Sequence, residues 1–152
     1  MLIGYEFIKA LHYAAMNHAL QKKVYMDEAT GLPNKNKCEE LLSAPEMITM
    51  PVGVCSFDLN NLRRINNSMG HEKGDAYIRI FAELVREAVP AHYFVGRAGG
   101  DEFIAIMDGA DKEEMQRCLQ LIRDRVDTYN TANPDFPVSY AVGISVSDEN
   151  EN

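Results

Sequence analysis

The sequence predicts an α/β sandwich: one sheet of mixed strand directions, covered by helices on at least one face. Three observations lead there. Segments of helical and strand periodicity follow in the order helix, strand, two helices, hairpin, helix, strand, which a layered arrangement accommodates. The run Val52–Leu59 is apolar on both faces, as a central strand is. The stretch "GGD" at 99–101 joins two strand-like runs as a hairpin connection. With 152 residues the chain has the length of one domain and can bury a sizeable core.

Residues 2–26 lack Pro, and Gly after Gly4, and read as one long helix with Ile3, Phe7, Leu11, Ala14 and Ala15 at helical spacing. Its apolar face predicts packing on its own domain or on a sister chain. "DEATGLPN" (27–34) ends it through Gly31 and Pro33, and Asn34 can cap a helix over about 35–44. After the strand Val52–Leu59, Gly70 separates a short helix (61–69) from a longer one (about 72–89) that Pro90 ends. Tyr93–Ala98 and Glu102–Met107 form the hairpin strands. Asp111 caps a helix to about Tyr129, with Met115, Leu119, Ile122 and Val126 on one face, and "FPVSYAVGISVS" (136–147) alternates as a last strand.

Lys and Arg number 15 against 23 Asp and Glu, a formal charge of -8. A nucleic-acid backbone or an anionic membrane demands a basic face, so neither is expected as main partner. A single nucleotide brought in with a divalent metal is compatible with this charge. Cys38, Cys55 and Cys118 are odd in number and far apart, which points to buried thiols in a reducing cytoplasm. Glu6 and Lys9 interrupt the N-terminal apolar stretch and spoil a signal peptide, and no run approaches the ~18 apolar residues of a membrane span.

Chemistry concentrates at two strand ends and one helix pair. Gly99 and Gly100 permit positive φ, so the hairpin tip can be tight with exposed amides, and Asp101 and Glu102 follow at once. Alone, such a tip reads first as a solvated acidic turn, since acidic glycine turns are common. Asp58 ends an apolar strand, where a carboxylate caps or ligates. If the two strands are neighbours, Asp58 and Asp101 converge at one sheet edge, a setting that suits magnesium completed by substrate phosphates. In "NNLRRINNSMGHEKGD" (60–75), Asn66 and Asp75 lie either side of the Gly70–His71 break. A carboxylate can accept from guanine N1–H and its exocyclic amine, and an amide can serve another edge. Capping of the two helices is the alternative reading. Arg63 or Arg64 can meet phosphate oxygens.

Together these segments resemble the GGDEF family of diguanylate cyclases, from about Asp27 to Val146. "DEATGLPNK" is similar to that family's opening motif, with Ala29 for leucine and Lys35 for arginine; "FDLNNLRRINNSMGHEKGD" looks like its metal-and-guanine segment; "RAGGDEF" carries its signature intact. The resemblance implies a nucleotide-cyclase-like, largely antiparallel sheet, an N-terminal signalling helix at 1–26 and a GGDEF domain at 27–152. It implies Asp58, the Leu59 carbonyl and Asp101 as ligands of Mg²⁺ or Mn²⁺, with Glu102 assisting the metal or the attacking hydroxyl. Asn66 and Asp75 would read guanine, Arg63 would contact phosphate where lysine is usual, and the amides of Asn61 and Leu62 would line the phosphate loop. GTP would be the substrate, a homodimer the catalytic unit, and an upstream sensor domain a partner.

The sequence also departs from the pattern. Asn60 replaces a common acid and Leu62 an aromatic, and no Lys or Arg follows Arg125, where relatives continue into a basic helix. The expectation is therefore a C-terminally truncated domain, and a GTP-binding or dimerisation module without efficient turnover is the alternative to the enzyme. "PAHY" (90–93) stands where many relatives carry an Arg-x-x-Asp motif that grips the product.

Overall fold

In the computed structural model, which describes residues 2–44, 46 and 48–147, the chain runs through α1 (Leu2–Tyr25), α2 (Lys35–Leu42), β1 (Val52–Leu59), α3 (Leu62–Met69), α4 (His71–Ala88), β2 (Phe94–Arg97), β3 (Glu102–Asp108), α5 (Lys112–Ala132) and β4 (Tyr140–Ser147). The final residues Asp148–Asn152, on which the expected truncation falls, and the side chain of Ile3 lie outside the described residues.

The sheet order is β2-β3-β1-β4, and each of its three pairings is antiparallel. β1 is central, as its doubly apolar sequence predicts. The mixture of directions expected from the element order thus resolves into an antiparallel sheet, joined by α3–α4 on one crossing and α5 on the other.

Directly paired residues share a sheet face. Phe57 lies opposite Phe103, and Cys55 opposite Ala105, and all four are fully buried. Against them pack Tyr77, Phe81 and Val85 of α4 and Met115, Ile122 and Val126 of α5. Phe81 meets Phe103 edge-on with centroids 5.1 Å apart and Phe57 at 6.1 Å. Burying each such ring contributes roughly 1.5–3 kcal/mol, which makes this layer the main source of stability. Gly53 admits α5 closely, since a Cβ there would stand 3.0 Å from Met115 Sδ. On the opposite face α2 approaches β2, where a Cβ on Gly96 would lie 2.5 Å from Cys38 Sγ. Helices therefore cover both faces.

All three thiols are free and buried. Burial pushes Cys38 up to about 11 and Cys55 up to about 12, so neither forms a thiolate at neutral pH.

Element boundaries shift where distant groups intervene. β4 begins at Tyr140 rather than Phe136, because the Asn130 side chain of α5 takes both ladder groups of Val138. The Val138 N–H donates to Asn130 Oδ1 at 2.7 Å, and Asn130 Nδ2 donates to the Val138 carbonyl at 2.9 Å. Phe136 instead packs edge-on against Tyr77 at 5.7 Å. α2 stops at Leu42, two residues short of the expected end, where the Ser43 N–H donates to the Glu39 carbonyl and the Ala44 N–H turns back to the Leu41 carbonyl.

Candidate functional site

β1 and β3 are neighbours, and their register places Asp58 opposite Glu102 at the sheet's end. One residue further, the Leu59 N–H donates to the Asp101 carbonyl at 2.8 Å. The strand ends therefore bring Asp58, Leu59, Asp101 and Glu102 to one edge, with Asp58 and Asp101 exposed and Glu102 partly so. In an extended strand the carbonyl of a residue faces the same neighbour as its N–H. The Leu59 carbonyl thus points at the hairpin, and among the described residues no N–H of the tip returns to it. Two carboxylates and an open carbonyl are hard oxygen donors of the kind Mg²⁺ or Mn²⁺ takes. No group of three or more His, Cys, Asp or Glu side chains poised to hold a metal occurs among the described residues. Two carboxylates and a carbonyl would leave the other positions of such a cation to water and substrate phosphate.

The hairpin tip corrects one expectation. Neither Gly99 nor Gly100 has positive φ. The tip spans Ala98–Asp101, and its shape comes from hydrogen bonds: Ala98 and Gly99 N–H both donate to the Glu102 carbonyl, at 2.8 and 3.1 Å. Arg97 closes it from outside, donating through Nε to the Gly99 carbonyl at 3.1 Å and through Nη2 to the Gly100 carbonyl at 2.8 Å. Its Nη1 pairs with both carboxylate oxygens of Asp27, at 3.1 and 3.2 Å. Burial raises the Asp27 pKa, but hydrogen bonds from Thr30 and Arg97 and the Arg97 charge outweigh it and hold the carboxyl below its usual 3.8. The sequence reading missed Arg97 and Asp27. An arginine two residues before the glycines was their one available signal.

The β1–α3 turn is built tightly. Asn60 N–H donates to the Ser139 carbonyl at 2.9 Å, and Asn60 Nδ2 donates to Ser139 Oγ at 3.0 Å. The departure from an acid at position 60 thus places an amide that ties this turn to the chain before β4. Asn61 has φ 70°, in the left-handed region that Asn tolerates better than most residues. It makes no side-chain cap, so the first N–H groups of α3, Leu62 included, are left for an outside acceptor at the helix's positive end. Tyr77, which sequence reasoning also missed, reaches this turn from α4. Its hydroxyl lies 2.8 Å from the Asn60 carbonyl and 3.1 Å from the Ser139 N–H.

Asn66 sits within α3 and Asp75 within α4, and neither side chain caps either helix; Gly70, which precedes α4, offers it no side-chain cap. The capping alternative fails on this point. Asn66 is half-buried against Gly74 and Asp75 is exposed beside it. Arg63 is exposed and, with Asn61, Arg64, Asn67 and Ser68, borders an open depression of about 580 Å³, which Asn66 and Asp75 do not line. Pro90 and Tyr93 border a smaller cavity of about 310 Å³ with Arg86, whose Nη2 donates to the Thr30 carbonyl at 3.2 Å.

Residues 24–152 match the family model described as "Diguanylate cyclase, GGDEF domain". A diguanylate cyclase of Vibrio cholerae serotype O1 is 30% identical over 123 residues, which is 78% of this chain and 38% of that protein. The cyclic di-GMP phosphodiesterase PdeB of Shewanella oneidensis is 29% identical over 132 residues, 86% of this chain and 15% of that protein. The chain therefore spans well under half the length of these relatives. Among solved structures, the coiled coil and GGDEF domain of DgcB from Caulobacter crescentus, in complex with c-di-GMP, superposes with a TM-score of 0.80 at 21% identity, covering 99% of this chain and 83% of that one. That likeness shows the fold, the N-terminal helix included. With the signature carried on the β2–β3 hairpin and the family match running through all four strands, this chain belongs to the GGDEF domain family.

Proposed function

We propose that this chain is the catalytic domain of a diguanylate cyclase, which joins two GTP molecules, one on each of two facing copies, into cyclic di-guanylate. The observation that carries this reading is the β1–β3 register, which sets Asp58, the open Leu59 carbonyl and Asp101 at one sheet edge beside the uncapped start of α3. Asp58, the Leu59 carbonyl and Asp101 would hold Mg²⁺ or Mn²⁺. Bound there, the ion would lower the pKa of an attacking hydroxyl and neutralise phosphate charge. The Asn61 and Leu62 amides and Arg63 hold phosphate oxygens, and Asn66 and Asp75 pair with the guanine edge. Glu102 orients the attacking 3′-hydroxyl and receives its proton. That oxygen bonds to the α-phosphorus of the GTP on the facing copy, the α–β bridging P–O bond breaks, and pyrophosphate leaves. The reciprocal step closes the ring with a second pyrophosphate. Because one site holds one substrate, the twofold pair is part of the mechanism.

A second reading, a GTP-binding and dimerisation module with weak turnover, draws on Asn60, whose amide is committed to Ser139 where relatives offer a charge. Incubation with GTP and Mg²⁺, followed by chromatography for cyclic di-guanylate and an assay for pyrophosphate, separates the two. Product in a two-to-two stoichiometry of GTP to pyrophosphate supports the cyclase. Saturable GTP binding without product supports the module, and the absence of both overturns either reading.

A further inference from the structure

The closest approach made by any glycine of the chain is at Gly74, where a Cβ would stand 1.7 Å from Asn66 Oδ1 and 2.8 Å from Asn66 Cγ. Gly74 is buried, lies inside α4 and has no positive φ, so its backbone conformation is one that any residue adopts. By helix propensity alone alanine would be better there. The glycine must therefore serve something other than the helix. What it admits is the Asn66 amide, whose Oδ1, Cγ and Nδ2 all lie within 3.4 Å of where a Gly74 Cβ would stand, one residue before Asp75.

We infer that Gly74 is a positioning residue for base selection: the missing side chain is the seat that holds the Asn66 amide beside Asp75. This rests on the proposed guanine-reading role of that pair. The steric argument also says what fails when the seat is filled. The atom met first is the far end of a flexible side chain, not backbone. A methyl at position 74 swings Asn66 to another rotamer and leaves α3 and α4 in place. Base reading is lost while the phosphate contacts remain.

The test is calorimetric binding of the α,β-methylene analogues of GTP and ATP, with Mg²⁺, to the whole chain. The wild type binds the guanine analogue more tightly. Gly74→Ala weakens guanine binding about tenfold, the loss of one well-placed hydrogen bond, and leaves adenine binding unchanged. Asn66→Ala has a similar effect, and adding Gly74→Ala to it changes nothing further, because the colliding amide is gone. The double variant also unfolds at a higher temperature than Asn66→Ala alone. Equal weakening of both analogues, an unchanged guanine preference in Gly74→Ala, or multiplying effects in the double variant would each overturn the inference. If Gly74→Ala does not fold, wild-type base preference in Asn66→Ala overturns it instead. A wild type that binds both analogues equally removes the guanine-reading role itself, which is a failure of the proposed function and is seen before any variant is made.

Discussion

Asp101 has one structural role and one proposed role, and the two are separable. Its backbone carbonyl accepts from Leu59 and joins the two strands, while its exposed carboxylate makes no side-chain hydrogen bond among the described residues. Asp101→Ala keeps the first and removes the second. The expected outcome is an unfolding midpoint close to that of the wild type, with metal-dependent GTP binding and turnover lost together. Removing ~4 kcal/mol of transition-state stabilisation corresponds to about a thousandfold in rate, and retention of wild-type turnover would show that Asp101 is no ligand. Asp27 gives a pH prediction of definite sign. Its folded pKa lies below 3.8, so its contribution is fully present above that value and is lost as pH falls through the folded pKa. Asp27→Asn should be less stable than the wild type at pH 7, with the gap closing below pH ~3.8 as the wild-type carboxyl is protonated. Urea unfolding between pH 2.5 and 7 measures it, and a gap that stays constant with pH would assign the loss to shape rather than charge.

At the level of elements, local chemistry was legible and remote chemistry was not. Asn34 and Asp111 cap α2 and α5 as read, each accepting from the N–H three residues on, because a cap is decided within one turn. The doubly apolar β1 announced its central place, and the acids at its end and at the hairpin tip announced a shared edge. The β4 start was not legible, since Asn130, eight residues upstream of Val138, decides it through space. The tip glycines invited a reading of positive φ, whereas the turn is held by Arg97 and the Glu102 carbonyl. Tyr77 is the strongest case: in sequence it is one more apolar residue on an amphipathic helix, yet its hydroxyl joins α4 to both ends of the β1–β4 junction. Tyr77→Phe keeps the ring and strips that partner from the Asn60 carbonyl and the Ser139 N–H. Leaving such groups unpaired costs about 1–3 kcal/mol. Chemical unfolding should show that loss, and a change under ~0.5 kcal/mol would mean that water replaces the hydroxyl without penalty.

For the whole molecule, the proposed chemistry needs two copies, and the surface carries what such an assembly would cover. α1 exposes Phe7, Ile8 and Leu11 at 63%, 66% and 55%, and β4, an edge strand among the described residues, exposes Val142 and Ile144. Large apolar side chains exposed together on one helix are candidates for cover by a second copy. On the proposed chemistry each GTP offers one 3′-hydroxyl and one α-phosphate to a facing nucleotide, so a lone copy would bind substrate without a second nucleotide to react with. Turnover per protomer should therefore follow the fraction of dimer. Below the dimer dissociation constant the initial rate should rise with the square of protein concentration, and above it linearly, while GTP binding per protomer stays constant throughout. Light scattering at the same concentrations supplies the dimer fraction. Leu11→Glu, on exposed α1 and outside the residues proposed to hold GTP, should move the whole curve to higher concentration without altering GTP affinity. Full activity per protomer in samples that scatter as monomers would break the link between pairing and chemistry, and with it the two-copy mechanism.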